Sequence, residues 1–300
     1  MGMFEQLQRW PLLGRRGLAS DRHSNRPQLF AARRSRRHVI ARFRDVNDMR
    51  RGFGIDIGGS GMKAAIVDLD SGALLSERVR VNTPQPATPD AMAEVVSELV
   101  AALGWDGPLG VAFPAVVRHG VVGSAANIDS SWLDIDADAL FTEASGLDVH
   151  MLNDADAAGI AEMRFGVGAQ SDGSPRAGVT MMLTFGTGIG SGLFVDGILV
   201  PNTELGHLEL DGHDAEHEAS GKARDRDELS WKDWAGRAER YLRHVEALFS
   251  PDLFIVGGGI SKKPERWLPY IDIDTELLPA EMANNSGIVG AALAVDNLQR

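Results

Sequence analysis

The sequence predicts an α/β protein of two lobes, each built on a mixed sheet, facing each other across a central cleft. Three observations lead there. Short apolar strands alternate with helix-periodic segments from residue 53 to residue 295, the pattern of layered α/β folds. The first two strands are too close for a crossover and read as a hairpin, so their sheet is not purely parallel. Two glycine-rich turns, at 58–61 and 186–192, each join two strands, as two related halves would.

The elements follow in order. Phe53-Gly54-Ile55-Asp56-Ile57 is a short buried strand running into the first glycine turn, and residues 63–69 return as its partner, closed by Ser71-Gly72. Pro84, Pro86 and Pro89 mark a loop. Asp90 is the expected N-cap of a helix over 91–103, where Met92, Val95, Val96, Leu99, Val100 and Leu103 recur at helical spacing. Strands are expected at 109–113 and 149–152, a helix at 155–165, and strands again at 179–185 and 192–200. Residues 231–249 read as a long helix with Trp234, Ala238, Tyr241, Leu242 and Val245 among its apolar positions. Leu253–Val256 is a strand ending in three glycines, and residues 287–295 form a last apolar helix.

Composition narrows the function. A chain of 300 residues with 44% hydrophobic content can bury real cores. No apolar run approaches the roughly 18 residues of a membrane span, and no secretory apolar core is found near the start, so a cytoplasmic protein without membrane contacts is expected. The absence of cysteine excludes disulfides, thiolate metal sites and cysteine nucleophiles. Charge is uneven: residues 1–51 hold 13 Arg against 4 acids, while the net charge of the whole is −12. The rest is therefore strongly acidic, a poor surface for nucleic acid. Any phosphate donor must be held there by local geometry. Residues 1–50 are basic and without apolar periodicity. They read as a disordered extension that precedes a natural start at Met49, as an organelle transit peptide, or as a basic arm that gathers a polyanion.

Five segments carry chemistry. In Asp56-Ile57-Gly58-Gly59-Ser60-Gly61-Met62-Lys63 the glycines let backbone N–H groups approach phosphate oxygens. Ser60 adds a hydroxyl, Lys63 a positive charge, and Asp56 a partner for Mg²⁺, directly or through water. The spacing is not that of a Walker A loop. The second segment, Thr184-Phe185-Gly186-Thr187-Gly188-Ile189-Gly190-Ser191-Gly192, runs on into the apolar Leu193-Phe194-Val195. A dinucleotide fingerprint would enter a helix there. The third, Asn153-Asp154-Ala155-Asp156, follows a strand. An aspartate at that place either accepts a proton from a substrate hydroxyl or caps the next helix. The fourth, Glu204-Leu205-Gly206-His207 with Glu216, offers groups that share hydroxyl hydrogen bonds, or else plain surface polarity. The fifth is Gly257-Gly258-Gly259, a strand end that a flat ring or a phosphate can approach closely.

In this order the five segments resemble the ROK family of sugar kinases, with its actin-like ATPase (ribonuclease H-like) fold, and in particular its polyphosphate-using glucokinases. Supporting segments are Thr83-Pro84-Gln85-Pro86, Ala126-Asn127-Ile128-Asp129 with Trp132, and Pro201-Asn202-Thr203-Glu204. The resemblance spans about 52–297 and implies a first lobe over 51–155, a second over 156–285, and a helix at 286–298 packing back on the first. It implies Asp154 as the general base toward the glucose 6-hydroxyl, and Asn127, Asn153, Glu204, His207 and Glu216 as sugar ligands. Residues 58–63 and 186–190 would be phosphate turns, and 257–259 the adenosine-side turn. The donor would be polyphosphate, ATP or both, with Mg²⁺. The sugar would be glucose or mannose, and the assembly a homodimer. The cysteine-rich zinc motif of many members is missing, as it is in the polyphosphate-using branch, so no zinc is expected. Ala115 stands where the family has glycine, and it would weaken sugar binding if that place needs positive φ or close approach. Alternatives are an ATP-only glucokinase or mannokinase and, from a different class, a sugar-sensing repressor of the same fold.

Overall fold

Two hairpins, each closed by a glycine turn, start two five-stranded sheets in this computed structural model, which describes residues 49–125 and 128–298. In the first sheet, β1 (Arg51–Gly58) and β2 (Gly61–Asp68) pair antiparallel, with Gly58 opposite Gly61. The short β3 (Val79–Val81) adds to the β2 edge. Helix α1 (Pro89–Leu103) follows, then β4 (Leu109–Phe113), which lies parallel to β1. A small ribbon of β5 (Val117–Arg118) and β6 (Val121–Val122) leads to α2 (Ala137–Ser145) and to β7 (Val149–Asn153), parallel to β4. The strand order is β3-β2-β1-β4-β7.

The second sheet repeats this order. After α3 (Asp154–Phe165), β8 (Val179–Phe185) and β9 (Ile189–Val195) form the hairpin, and β10 (Ile198–Val200) takes its edge. A ribbon of β11 (Glu209–Leu210) and β12 (His213–Asp214) precedes α4 (Ala215–Ala219), α5 (Gly221–Arg226) and the long α6 (Trp231–Phe249). Then β13 (Leu253–Gly258) lies parallel to β8, and β14 (Glu276–Pro279) parallel to β13, giving β10-β9-β8-β13-β14. The last helix, α7 (Ser286–Leu298), returns to the first sheet, where it packs on β1, β4 and α3.

Each sheet has its own aromatic core. Trp132 packs between Phe113 and Phe141 at 4.7 and 5.7 Å beside the first. Trp234 packs on Phe185 and Trp267 at 5.6 and 6.1 Å beside the second. Buried indole N–H groups are satisfied: Trp132 donates to the Ala87 carbonyl and Trp267 to that of Ile260. Helix α7 approaches by glycine: a Cβ at Gly54 or Gly110 would overlap the Ile288 or Ala291 carbonyl, and one at Gly290 that of Ala157.

The sequence expectations need local correction. Helix α1 begins at Pro89 with Thr88 as N-cap, and Asp90 lies inside its first turn; proline suits the first helical position because it has no N–H to leave unpaired. Strand 192–200 divides into β9 and β10 at a turn with Gly197 at φ 79°. Of 1–50, all but Met49 and Arg50 lie outside the described residues, as does Asn127. No helix among the described residues is long and apolar enough to cross a membrane.

Candidate active site

Both glycine turns open on one cleft, a cavity of about 400 Å³ between the C-terminal ends of the central strands. At its floor β7 runs directly into α3. Asn153 is the N-cap: its Oδ1 accepts the N–H groups of Ala155 and Asp156 at 2.8 and 3.1 Å, and its Nδ2 donates to the Ala115 carbonyl at 3.2 Å. The cap therefore falls to Asn153 and leaves the next carboxylate, Asp154, free to face the cleft. Burial, the negative charge of Asp56 and further repulsion from Glu204 and Asp156 raise the Asp154 carboxyl to about 7, against the Ala155 N–H, which favours the anion.

Asp156 has a different place. Two residues along a helix is about 200° of rotation, and this side chain lines a separate cavity of about 1000 Å³. Its Oδ2 accepts the Asn202 N–H at 2.8 Å, and burial raises it also to about 7. Of the two aspartates the sequence left open, only Asp154 reaches the cleft.

Glu204, His207 and Glu216 all line the cleft. His207 Nδ1 sits 2.9 Å from Asp214 Oδ2, with Nε2 3.8 Å from Glu204 Oε2; the Asp214 hydrogen bond raises the imidazole above its usual range. Burial raises Glu204, partly opposed by His207. Glu216 Oε2 accepts the Ile189 N–H at 3.0 Å, and a Cβ at Gly188 would overlap that same oxygen. The second glycine turn is thus pinned to a carboxylate of the cleft wall.

Across the cleft, Asp56 Oδ2 accepts from Lys63 Nζ at 2.8 Å. Asp56, Gly58, Gly59 and Lys63 line the cavity with Thr184, Gly186, Thr187, Gly188, Gly258 and Gly259. Ser60, Gly61 and Gly257 do not line it. Gly61 is packed beneath the Arg80 guanidinium, and Gly257 continues β13 opposite Thr184. Ala115 lines the cleft without left-handed backbone, since it is absent from the positive-φ residues. One of the two reasons to expect weak sugar binding there is removed.

A model of the ROK family matches residues 52–223. The chain belongs to the ROK family. It is 50% identical over 246 residues to a polyphosphate glucokinase of Mycobacterium tuberculosis, covering 82% of this chain and 91% of that relative. Its structure matches the inorganic polyphosphate/ATP-glucomannokinase of Arthrobacter sp. strain KM at TM-score 0.78 and 53% identity, over 83% of this chain and 99% of the other. A ROK glucokinase of Streptomyces griseus, solved with glucose and AMPPNP, matches at TM-score 0.69 and 25% identity, over 81% and 98%.

This ROK cleft includes residues that sequence reasoning missed. Ser124, Lys262, Asn284 and Ser286 line it. Lys262 follows the glycine run 257–259 and adds a cation to that wall of the cleft. Ser124 Oγ accepts the Val116 N–H at 3.0 Å, which steadies the segment carrying Ala115. Only the run Asn284-Asn285-Ser286 before an apolar helix gave a signal, that of a helix start.

Proposed function

We propose that this protein transfers a phosphoryl group from inorganic polyphosphate or ATP to the 6-hydroxyl of glucose. The observation that carries the reading is Asp154: a carboxylate freed from capping, half-buried at the cleft floor, raised to about 7 and facing both glycine turns. A base poised near the working pH combines ionisation with proton affinity. The half-identity to polyphosphate glucokinases supports the choice of donor and sugar.

Glucose sits against Glu204, His207 and Glu216, with the remaining Asn153 amide hydrogen beside it, and its 6-hydroxyl meets Asp154. Asp154 takes the hydroxyl proton as the oxygen attacks the terminal phosphorus. The N–H groups of 58–59 and 187–188 receive the phosphate oxygens with Lys63 and Lys262, while the Gly186 N–H closes the turn on the Gly188 carbonyl, so positioning and electrostatics supply most of the rate. The lobes 51–155 (with 286–298) and 156–285 close to exclude water. Mg²⁺ fits this donor set. It is commonly held by one or two carboxylates plus substrate phosphates, and the Asp56 oxygen not taken by Lys63 accepts no other hydrogen bond among the described residues. There it would neutralise charge on the transferred group. Mannose tolerance, a homodimer and a cytoplasmic setting complete the reading; the exposed Ile198, 73% accessible at the β9–β10 turn beside Val195 and Val200, supports a subunit contact.

The deciding test is glucose 6-phosphate formation with polyphosphate and with ATP in parallel. Turnover with polyphosphate is expected. Turnover with ATP alone would make it an ordinary glucokinase, and none with either donor would favour the sugar sensor. The pH profile is a second test. Because the base must be ionised and burial raises it to about 7, kcat/KM for glucose is expected to rise with pH through about 7 and level off above. The residual activity of Asp154→Asn should lack that limb, and a limb surviving in the variant would assign it to another group.

A further inference from the structure

Among the described residues, most arginines are tied to carboxylates. Arg176 meets Glu276, Arg226 and Arg237 meet Asp227, and Arg243 meets Glu239. Two exposed arginines beside the cleft differ. Arg78 donates to Asn285 Oδ1 at 3.0 Å. Arg80 donates to Asn82 Oδ1 at 3.2 Å and to the Ser60 carbonyl at 3.0 Å. All three acceptors are neutral, so among the described residues neither guanidinium charge is met by a carboxylate. Both sit at the cleft rim: Ser60 follows Gly59, and Asn285 lies between Asn284 and Ser286, and these three neighbours line the cavity.

Strand register sharpens the point. Asp56, Lys63 and Arg80 face one another in a single row across β1, β2 and β3. Adjacent strands lie about 4.8 Å apart, and like charges directly opposite each other destabilise a sheet. The one carboxylate of the row, Asp56, is taken by Lys63 at 2.8 Å. Arg80 is left as a second cation beside the first, and Arg78 continues two residues further along the same edge. Positive charge on an edge strand also discourages strand pairing between chains. That purpose does not require the charge to run in line with a phosphate-facing lysine.

We infer that Arg78 and Arg80 extend this cation row outward from the cleft and bind phosphates of a polyphosphate donor beyond the one transferred. The inference rests on the phosphotransferase reading above. A long polyanion reaches the row. ATP does not, because the turn expected beside its adenosine, 257–259, belongs to the other sheet. The two arginines would then set preference for donor length and leave the reaction itself untouched.

The experiment is a donor ladder, tripolyphosphate through long polyphosphate, with ATP alongside, run on the full chain and on Arg78→Gln/Arg80→Gln. The variant is expected to raise KM for long chains by about 10-fold through loss of two charge-assisted contacts. Its kcat should hold, and its KM values for ATP and tripolyphosphate should stay within about twofold, since neither loses a contact. The salt dependence of KM for long chains should become shallower, because fewer phosphates are neutralised. Arg78→Gln alone, with a smaller shift of the same kind, covers the case in which loss of Arg80 over Gly61 disturbs the fold. An unchanged length preference in a folded, active variant overturns the inference and leaves the enzyme reading standing. Equal losses with every donor also overturn it, as structural damage. A wild-type protein active with ATP but not with polyphosphate overturns the inference alone, and one inactive with every donor overturns the phosphotransferase reading as well.

Discussion

Replacing Asp154 with asparagine is expected to lower kcat by about 10²–10⁴, the range for losing a positioned general base, while glucose binding changes little. Asparagine keeps the size of the side chain, and the cap of α3 is unaffected because Asn153 supplies it. What disappears is the one oxygen able to take the hydroxyl proton. Rapid-quench turnover with calorimetric glucose titration separates the two effects, and near-normal turnover would overturn the assignment. Stability should move the other way. A carboxyl raised above its unfolded value stabilises the fold fully only below the unfolded pKa, near 3.9, and that contribution is lost as pH rises through about 7. The amide carries no such dependence. Asp154→Asn should therefore gain in melting temperature relative to wild type as pH rises from 4 to 8. A half-buried base kept beside Asp56 and Glu204 is held at the expense of the fold.

The second large effect is expected at Gly290. A Cβ there would overlap the Ala157 carbonyl oxygen, a backbone atom of α3 that has no rotamer by which to retreat. Gly290→Val should cost about 3 kcal/mol or more, the upper end of overpacking penalties, because backbone must move. Urea denaturation measures the loss. The displaced element is the helix that begins with Asp154, so the surviving folded fraction should also turn over more slowly. A variant with wild-type midpoint and wild-type kcat would show that α3 and α7 are less tightly apposed than the structure has them.

How much of this could be read in advance depended on whether a signal was local. The two glycine hairpins were legible because β1–β2 and β8–β9 each lie within one short stretch, and glycine marks the turn directly. The aromatic helix 231–249 was legible from its apolar positions, all within one stretch of sequence, and the structure adds Ser230 as its N-cap. Strands β3 and β14 were not. Each is three or four residues long and rests on a neighbouring strand rather than on its own pattern. Helix α2 hides behind an alternation of acids and small residues, and it is defined by Phe141 packing on Trp132. In the site, Asp154, Glu204, His207 and Glu216 could be named from their segments. The division of labour between Asn153 and Asp154 could not, because either can cap a helix, and only the fold shows which one does. Lys262, Ser124 and Asn284 reach the cleft from three distant parts of the chain, a convergence that no spacing encodes.

The position of α7 in the chain has a consequence during synthesis. The first sheet is complete when β7 has been made, yet residues 286–298 cover one of its faces. At about 5–20 residues per second, a ribosome needs about 7–30 s to go from the end of β7 to the end of α7. Throughout that interval the nascent chain carries an uncovered apolar layer that includes Ala65, Val67 and Leu69. The second sheet, made in the meantime, waits in turn for β14, which precedes α7 by a few residues. The growing polypeptide is then expected to complete both halves only near the end of synthesis, the second sheet with β14 and the first with the covering helix shortly after.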